Sequence, residues 1–192
     1  MSRTLRIVLL LAGVVAQLTV PALMIRQYED VLRNGDVFRF RTAPVDPYDA
    51  FRGRFVAVRI ESNSVPAVDH VEFPRGTKTF IEIGVDDAGY AHFAGLAAAR
   101  PKENAYLLGR VTHTWEGRTH LDVPVDRFYM AEADAPLAER AYWRNSLMTN
   151  HTASILLRVK DGKGVIEDVL IGDTPISQFV EENRESLEKN AR

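Results

Sequence analysis

The sequence predicts an α+β protein that is mainly β: an N-terminal transmembrane helix, an antiparallel β-rich domain folded as a barrel or sandwich, and a C-terminal helix. Three observations lead to this class: an uncharged apolar stretch at residues 7–25, repeated apolar/polar alternation between turn signals, and an amphipathic final segment. Many short strands without βαβ alternation favour a sheet that folds on itself. We expect an anchor at residues 1–26 and one exported domain at residues 27–192.

The apolar stretch predicts contact with the lipid bilayer through residues 7–25. At about 1.5 Å per helical residue it is long enough to cross a hydrocarbon core of about 30 Å. Arg3 and Arg6 precede it, whereas Arg26 on its far side is followed closely by Glu29 and Asp30. Because positive residues stay on the cytoplasmic side, we expect the N-terminus inside and the C-terminal domain outside.

A cleaved signal peptide is the alternative interpretation of the same stretch. An Arg-containing start, a short apolar run and Val14-Val15-Ala16 resemble a processing site. The apolar character continues to Ile25, well past Ala16, which favours an uncleaved anchor. On either interpretation the remaining chain is exported.

Composition excludes several classes of function. The formal net charge is −2, and no block of Lys and Arg interleaves with aromatic residues, so we expect no nucleic-acid partner. The chain has no cysteine, which excludes disulfides, thiolate metal sites and Cys nucleophiles. A nucleotide-binding glycine pattern is missing, and we expect no cofactor.

The segment after the anchor begins with helix and continues with strands. Residues 28–33 extend the anchor helix, and Asn34-Gly35 is a C-cap and turn signal. Residues 36–42 alternate at period two and predict the first strand. Residues 53–61 predict a second strand, which we expect to be central in the sheet.

Turn signals divide most of the remaining domain into hairpins. Glycines in three short loops favour hairpin turns, because glycine adopts positive φ without strain. The predicted hairpins are 78–94, 105–125 and 152–171. A polar linker at 62–66, a short strand at 67–73 and one helical turn at 96–103 complete this part.

Two helices are predicted near the C-terminus. Asp134 is placed to cap a short helix that runs to Arg144, with Pro136 in its first turn. Thr174-Pro175 precedes an amphipathic helix at 176–189. Its apolar face is formed by Ile176, Phe179, Val180 and Leu187.

Three passages resemble the GDYXXLXY family of membrane-anchored bacterial proteins. The passage PVDPYDAFRGRFVAVRI at 44–60 is similar to the segment that names the family, although Arg54 and Phe55 stand where the family has Asp and Tyr. Residues 127–132, RFYMAE, are similar to a second family signature. The final hairpin, VKDGKGVIEDVLIGD, resembles the C-terminal end of the family.

The resemblance implies a location and a kind of partner, but no particular activity. It implies a single-pass protein of the bacterial inner membrane whose C-terminal domain lies in the periplasm or outside. It also implies a multi-spanning membrane protein as the partner. The best-placed partner surface is the signature itself, with candidate residues Asp46, Asp49, Arg52, Arg54 and Phe55. In a purely structural interpretation, Asp46 and Asp49 cap the turn and Arg52 pairs with one of them.

One constellation suggests metal binding. If Glu116-Gly117 is a two-residue hairpin loop, His113 and His120 lie opposite each other, with Asp122 on the same face. Two imidazoles and a carboxylate are a zinc ligand set. A glycine bulge at the turn would shift the register and separate the histidines, leaving two polar residues on a solvent-facing strand.

Three functional hypotheses follow. The preferred one is a non-enzymatic binding or accessory subunit of a multi-spanning membrane protein. The second is an envelope enzyme, either a metal-dependent one at His113, His120 and Asp122 or a hydrolase that uses Ser62 or Ser64 with Lys78. The third is a small-ligand-binding barrel, whose pocket would be lined by Phe55, Tyr90 or Tyr129.

Overall fold

The computed structural model of the chain describes residues 3–44, 55–67, 73–147 and 152–189, and for residues 3, 5 and 6 it describes the backbone alone. The helices are α1 (Arg3–Asn34), α2 (Ala135–Ser146) and α3 (Ile176–Lys189). The first six strands are β1 (Asp36–Ala43), β2 (Phe55–Ala57), β3 (Arg59–Ile60), β4 (Ser64–Pro66), β5 (Lys78–Val85) and β6 (Ala91–Ala97). The others are β7 (Tyr106–Trp115), β8 (Arg118–Asp122), β9 (Arg127–Tyr129), β10 (Ala153–Lys160), β11 (Lys163–Ile171) and β12 (Thr174–Pro175).

Helix α1 projects away from the domain. Every side chain from Ile7 to Asp30 is exposed, and the first buried side chain of the helix is Val31, which is 2% exposed. The segment Ile7–Asn34 is long and apolar enough to cross a membrane. The predicted helical extension at 28–33 is therefore confirmed, and it forms the base of α1.

The ten strands that the structure describes in the main sheet follow the order β12-β11-β10-β1-β6-β5-β7-β8-β4, with β3 paired to β1 beside this path. The neighbours are antiparallel except β1 and β6, which meet in parallel at Phe40 and Ala91, so the sheet is mixed. It curls far enough for Leu107 to bridge to Gly162. The predicted mainly β class with a helix at each end is confirmed, but the sheet does not close into a barrel.

Three sequence expectations about single elements were wrong. The predicted central strand at 53–61 is interrupted at Val58, whose N–H donates to the Asp126 carbonyl, so β2 leaves the main sheet and pairs with β9. The predicted linker at 62–66 contains β4, because Val65 is fully buried. The predicted turn of helix at 96–103 is the end of β6 followed by bends. Most of the strand predicted at 67–73 lies outside the described residues.

The three predicted hairpins are present. Two of them turn through residue pairs with positive φ: Glu116 and Gly117 at 48° and 69°, and Asp161 and Gly162 at 50° and 80°. Positive φ at both central residues is typical of the type I′ turn, whose twist matches that of the flanking strands. A two-residue loop fixes the register of each hairpin.

The inner face of the curled sheet packs against α2, and α3 packs on α2 and β11. The predicted apolar face of α3 is confirmed, since Ile176, Val180 and Leu187 are buried and Phe179 is partly so. The predicted N-cap Asp134 makes no side-chain capping bond. Its carboxylate pairs instead with Arg184, which ties the start of α2 to α3.

Tyr142 of α2 joins two strands through its hydroxyl group. The ring is 1% exposed, and the hydroxyl donates to the Ala43 carbonyl at 2.9 Å and accepts from the Arg59 N–H at 3.2 Å. Burial raises the pKa of the phenol above its usual value. The hydroxyl therefore holds β3 and the end of β1 against α2.

Replacing Tyr142 by Phe is expected to lower the free energy of unfolding by about 1 kcal/mol, because two backbone groups lose a partner while the ring still fills its place. Denaturant unfolding of the full chain in detergent measures the loss. Tyr129→Phe is the control, because the Tyr129 side chain is 67% exposed. An equal effect of both substitutions would contradict the role assigned to the Tyr142 hydroxyl.

Candidate functional site in the β2–β9 ribbon and its clefts

The two-stranded ribbon of β2 and β9 covers one side of the core and presents its other side outward. Val56 pairs with Phe128, and both side chains face inward, with Val56 fully buried. Phe55 pairs with Tyr129 on the outward side. This alternation follows from strand geometry, in which successive side chains point to opposite faces.

An aromatic and cationic cluster occupies the outward face of the ribbon. The rings of Phe55 and Tyr129 meet edge to face, with centroids 6.0 Å apart. The Arg127 guanidinium lies 5.3 Å from the centroid of the Phe55 ring, and its Nε is 3.4 Å from the Asp126 carboxylate. Arg127, Phe55 and Tyr129 thus form a continuous outward cluster that mixes aromatic and charged groups.

Open clefts lie on the two sides of the ribbon. One, of about 390 Å³, is bounded by β3, β8 and the ribbon and is lined by Phe55, Ile60, Phe93, Leu121, Asp122 and Arg127 among others. The other, of about 620 Å³, lies between the ribbon, β11 and the base of α1, where Tyr28 and Leu32 face Phe128, Tyr129 and Val165. We call this second space the stem cleft.

The base of α1 is held to the domain by close packing and charge. Asp30 accepts a hydrogen bond from the Lys160 ammonium at 2.8 Å, and Val31 is buried beside it. Gly35 leaves no room for a side chain, since a Cβ there would lie 2.5 Å from the Val31 carbonyl oxygen. The Gly35 carbonyl accepts from Arg158, whose pKa is raised by hydrogen bonds to Glu167. The helix therefore enters the domain through a rigid junction.

The histidine pair predicted from the sequence is formed. His113 and His120 are paired across β7 and β8, and their rings stack with centroids 4.4 Å apart. The two-residue turn at Glu116 and Gly117 produces this pairing of the histidines. The irregularity in the pairing of β7 with β8 falls between Val111 and His113 and not at the turn.

Asp122 does not join the histidines in a metal-binding group. It is paired with Arg110 and lines the 390 Å³ cleft instead. No group of three or more His, Asp or Glu side chains that would hold a metal ion occurs in the part of the chain that the structure describes. Catalytic zinc sites use three protein ligands. His113 and His120 supply two imidazoles, and the third ligand that the zinc-site hypothesis required is not beside them.

The serine and lysine side chains considered for a hydrolase lie in different contacts. The Ser64 hydroxyl accepts from the Arg118 guanidinium at 2.9 Å, and the Ser62 hydroxyl donates to the Ser64 carbonyl at 3.4 Å. Lys78 lies on β5 opposite Arg110. The geometry thus pairs Ser64 with an arginine that cannot act as a base, since its guanidinium stays protonated.

Of the partner-binding candidates, Asp46, Asp49, Arg52 and Arg54 lie outside the described residues. Phe55 is described and belongs to the outward cluster of the ribbon. Sequence reasoning missed that Arg127 and Tyr129 join it there. The available signal was that Phe55 lies within one family-like passage and residues 127–129 begin the other.

The remaining ligand-binding candidates are divided between different surfaces. Tyr129 lines the stem cleft, and Phe55 lines the other cleft. Tyr90 lies beneath two guanidinium groups, with Arg41 4.3 Å and Arg39 5.2 Å from its ring centroid. The structure thus does not gather these three aromatic residues around one pocket, as the barrel hypothesis required.

Fold and site together define a protein in which one β-rich domain is held at the end of an apolar N-terminal helix long enough to cross a membrane. Residues 17–169 match the GDYXXLXY protein family, so most of the chain is covered and the chain belongs to that family. No curated protein and no solved structure matches it.

Proposed function

We propose that the chain is a single-pass inner-membrane protein whose periplasmic domain is a non-enzymatic accessory subunit of a multi-spanning membrane protein. In this proposal α1 is an uncleaved signal anchor with its N-terminus in the cytoplasm. The observation that carries the proposal is the combination of an apolar helix that is exposed from Ile7 to Asp30 with a rigid junction to the domain.

The rigid junction supports a role that depends on orientation. A flexible linker is sufficient to keep a domain near a membrane, since it restricts only distance. Here the Asp30–Lys160 pair and the buried Val31 continue the helix directly into β1 and β10. One face of the domain therefore keeps a constant direction relative to α1, which suits binding to a neighbouring membrane protein.

The middle of α1 carries a polar group that suits a helical partner. Gln17 lies near the centre of residues 7–25, and its side chain is exposed. In hydrocarbon an amide is stabilised by hydrogen bonds across to another helix. Gly13 lies one turn away on the same side, with no atom within 4 Å of its potential Cβ, which allows a neighbouring backbone to approach closely.

Co-purification tests the proposal, with Gln17→Leu as the variant. Crosslinking in membranes and purification of the full chain in mild detergent are expected to recover a multi-spanning protein reproducibly. Gln17→Leu is expected to lower that recovery about five-fold, corresponding to an interhelical hydrogen bond of about 1 kcal/mol. Thr19→Val is the matched control, because the Thr19 hydroxyl already donates to the Val15 carbonyl within α1 at 2.7 Å.

Two results would contradict the proposal. Recovery of the chain crosslinked only to itself would make Gln17 a self-association site instead of a contact with another protein. Protection of the domain from protease added outside spheroplasts would reverse the proposed orientation.

A further inference from the structure

The stem cleft lies where a membrane surface would meet the domain. Tyr28 is three residues beyond Ile25 and Leu32 is seven residues beyond it, which places them about 4.5 and 10 Å further along the helix axis. The polar headgroup layer of one leaflet is about 5–8 Å thick. With residues 7–25 in the hydrocarbon, the Tyr28 side of the stem cleft falls in that layer.

The side chains of the cleft suit this position. Tyr28 is 51% and Tyr129 is 67% exposed, and both line the cleft. Tyrosine is enriched at membrane–water interfaces because its ring is apolar and its hydroxyl is polar. In a purely aqueous environment two such exposed rings have no evident structural purpose, since neither is needed to fill the core.

Charges in the cleft indicate which kind of lipid it fits. The Arg127 guanidinium is a donor that matches a phosphate, and the Arg127 side chain is 43% exposed. Asp126 beside it is 66% exposed and is an acceptor for an ammonium group. A second carboxylate, Glu167, is neutralised by a two-pronged contact with Arg158. An adjacent cation and anion complement a headgroup that itself carries both charges.

We infer that the stem cleft, with Tyr28, Arg127 and Tyr129, binds the headgroup of a zwitterionic phospholipid of the leaflet from which α1 emerges. The Arg127 guanidinium binds the phosphate, Asp126 binds the amine, and the tyrosine rings lie at the headgroup level. The inference rests on the anchoring part of the proposed function. It adds a second membrane contact that holds the ribbon against the bilayer, and the rigid junction of α1 directs the ribbon there.

Spin labels at single cysteines test the inference, and the chain suits this method because it has no native cysteine. The full chain is reconstituted alone into vesicles of phosphatidylethanolamine and phosphatidylcholine. Labels are placed at Pro124→Cys, which is exposed and lines the stem cleft, and at Leu18→Cys in the middle of α1. The control label is Asp173→Cys, a 93% exposed position beyond the far end of β11, about 20 Å along the strand from Val165.

Collision with a water-soluble nickel reagent is expected to be lowest at residue 18, several-fold reduced at residue 124 and unrestricted at residue 173. The double variant Arg127→Gln, Tyr129→Ser is expected to raise the collision rate at residue 124 toward that at residue 173. Arg110→Gln, an exposed arginine on β7, is the matched control and is expected to change nothing.

The outcomes separate this inference from the proposed function. If the label at residue 18 is shielded and the label at 124 is as accessible as that at 173, the lipid contact is wrong and the anchor stands. If the label at residue 18 is freely accessible to the nickel reagent, α1 does not span the bilayer. The proposed anchor and the lipid contact that depends on it are then both wrong. Shielding at residue 124 that appears only in vesicles of anionic phosphatidylglycerol would overturn the assignment to a zwitterionic headgroup.

Discussion

Replacing Phe40 by Ala is expected to lower the free energy of unfolding by about 3–5 kcal/mol, the usual cost of removing a large buried ring. Phe40 is fully buried, and its ring centroid is 5.5 Å from that of Phe93. It lies in β1, between β10 on one side and β6 on the other, at the single described pairing of β1 with β6. The lost ring leaves a cavity where the two halves of the main sheet are joined.

Thermal and denaturant unfolding of the full chain in detergent, followed by tryptophan fluorescence, measures this loss. Val37→Ala is the matched control, because Val37 is on the same strand and 48% exposed. Its effect is expected to remain within about 0.5 kcal/mol, as for most surface substitutions. Similar losses for the two variants would show that Phe40 does not join the two halves of the sheet.

Replacing Gly35 by Ala is expected to cost about 1–3 kcal/mol and to loosen the junction between α1 and the domain, as over-packing does elsewhere. A Cβ at this position would meet two backbone carbonyl oxygens, that of Val31 at 2.5 Å and that of Val159 at 3.1 Å. The Val31 oxygen is fixed in α1 and the Val159 oxygen is fixed in β10, so neither can move without its whole element. The end of α1 must therefore shift away from β10. The shift also separates Asp30 from Lys160.

Distances between spin labels at Leu18→Cys and Asp173→Cys, measured in lipid nanodiscs, report the junction directly. The Gly35→Ala variant is expected to broaden the distance distribution relative to the native glycine. Gly13→Ala is the control, because a Cβ there would meet no atom within 4 Å. A distribution that stays narrow in Gly35→Ala would contradict a junction that depends on this close approach.

Local patterns were sufficient for the elements whose partners are adjacent in the chain. The hairpin at Glu116 and Gly117 followed from residues that accept positive φ, and its two-residue loop brought His113 and His120 together as predicted. The apolar face of α3 likewise followed from a period of 3.6 residues. In these cases the information lies within a few residues, and tertiary packing agrees with it.

Patterns were insufficient where long-range contacts compete with local preference. Residues 55–60 alternate like one central strand, yet the pairing with β9, about seventy residues later in the chain, takes β2 away from the main sheet. Asp134 has the chemistry of an N-cap, but its carboxylate binds Arg184 on α3 instead. Asp122 keeps the face of β8 that it shares with His120, as expected, but the irregular pairing after Val111 places Arg110 opposite it.

The sequence by itself determined the apolar helix, the strand-rich domain behind it and the family to which the chain belongs, because hydrophobic length, period and turn chemistry are local properties. Only the tertiary structure decided that the helix enters the domain rigidly at Val31 and Gly35, and that Phe55, Arg127 and Tyr129 share one outward face beside Tyr28. These residues are far apart in the chain, and their meeting depends on the burial of Val56 and Phe128 on the opposite face of the same ribbon. That burial is a property of the whole core and of no single segment.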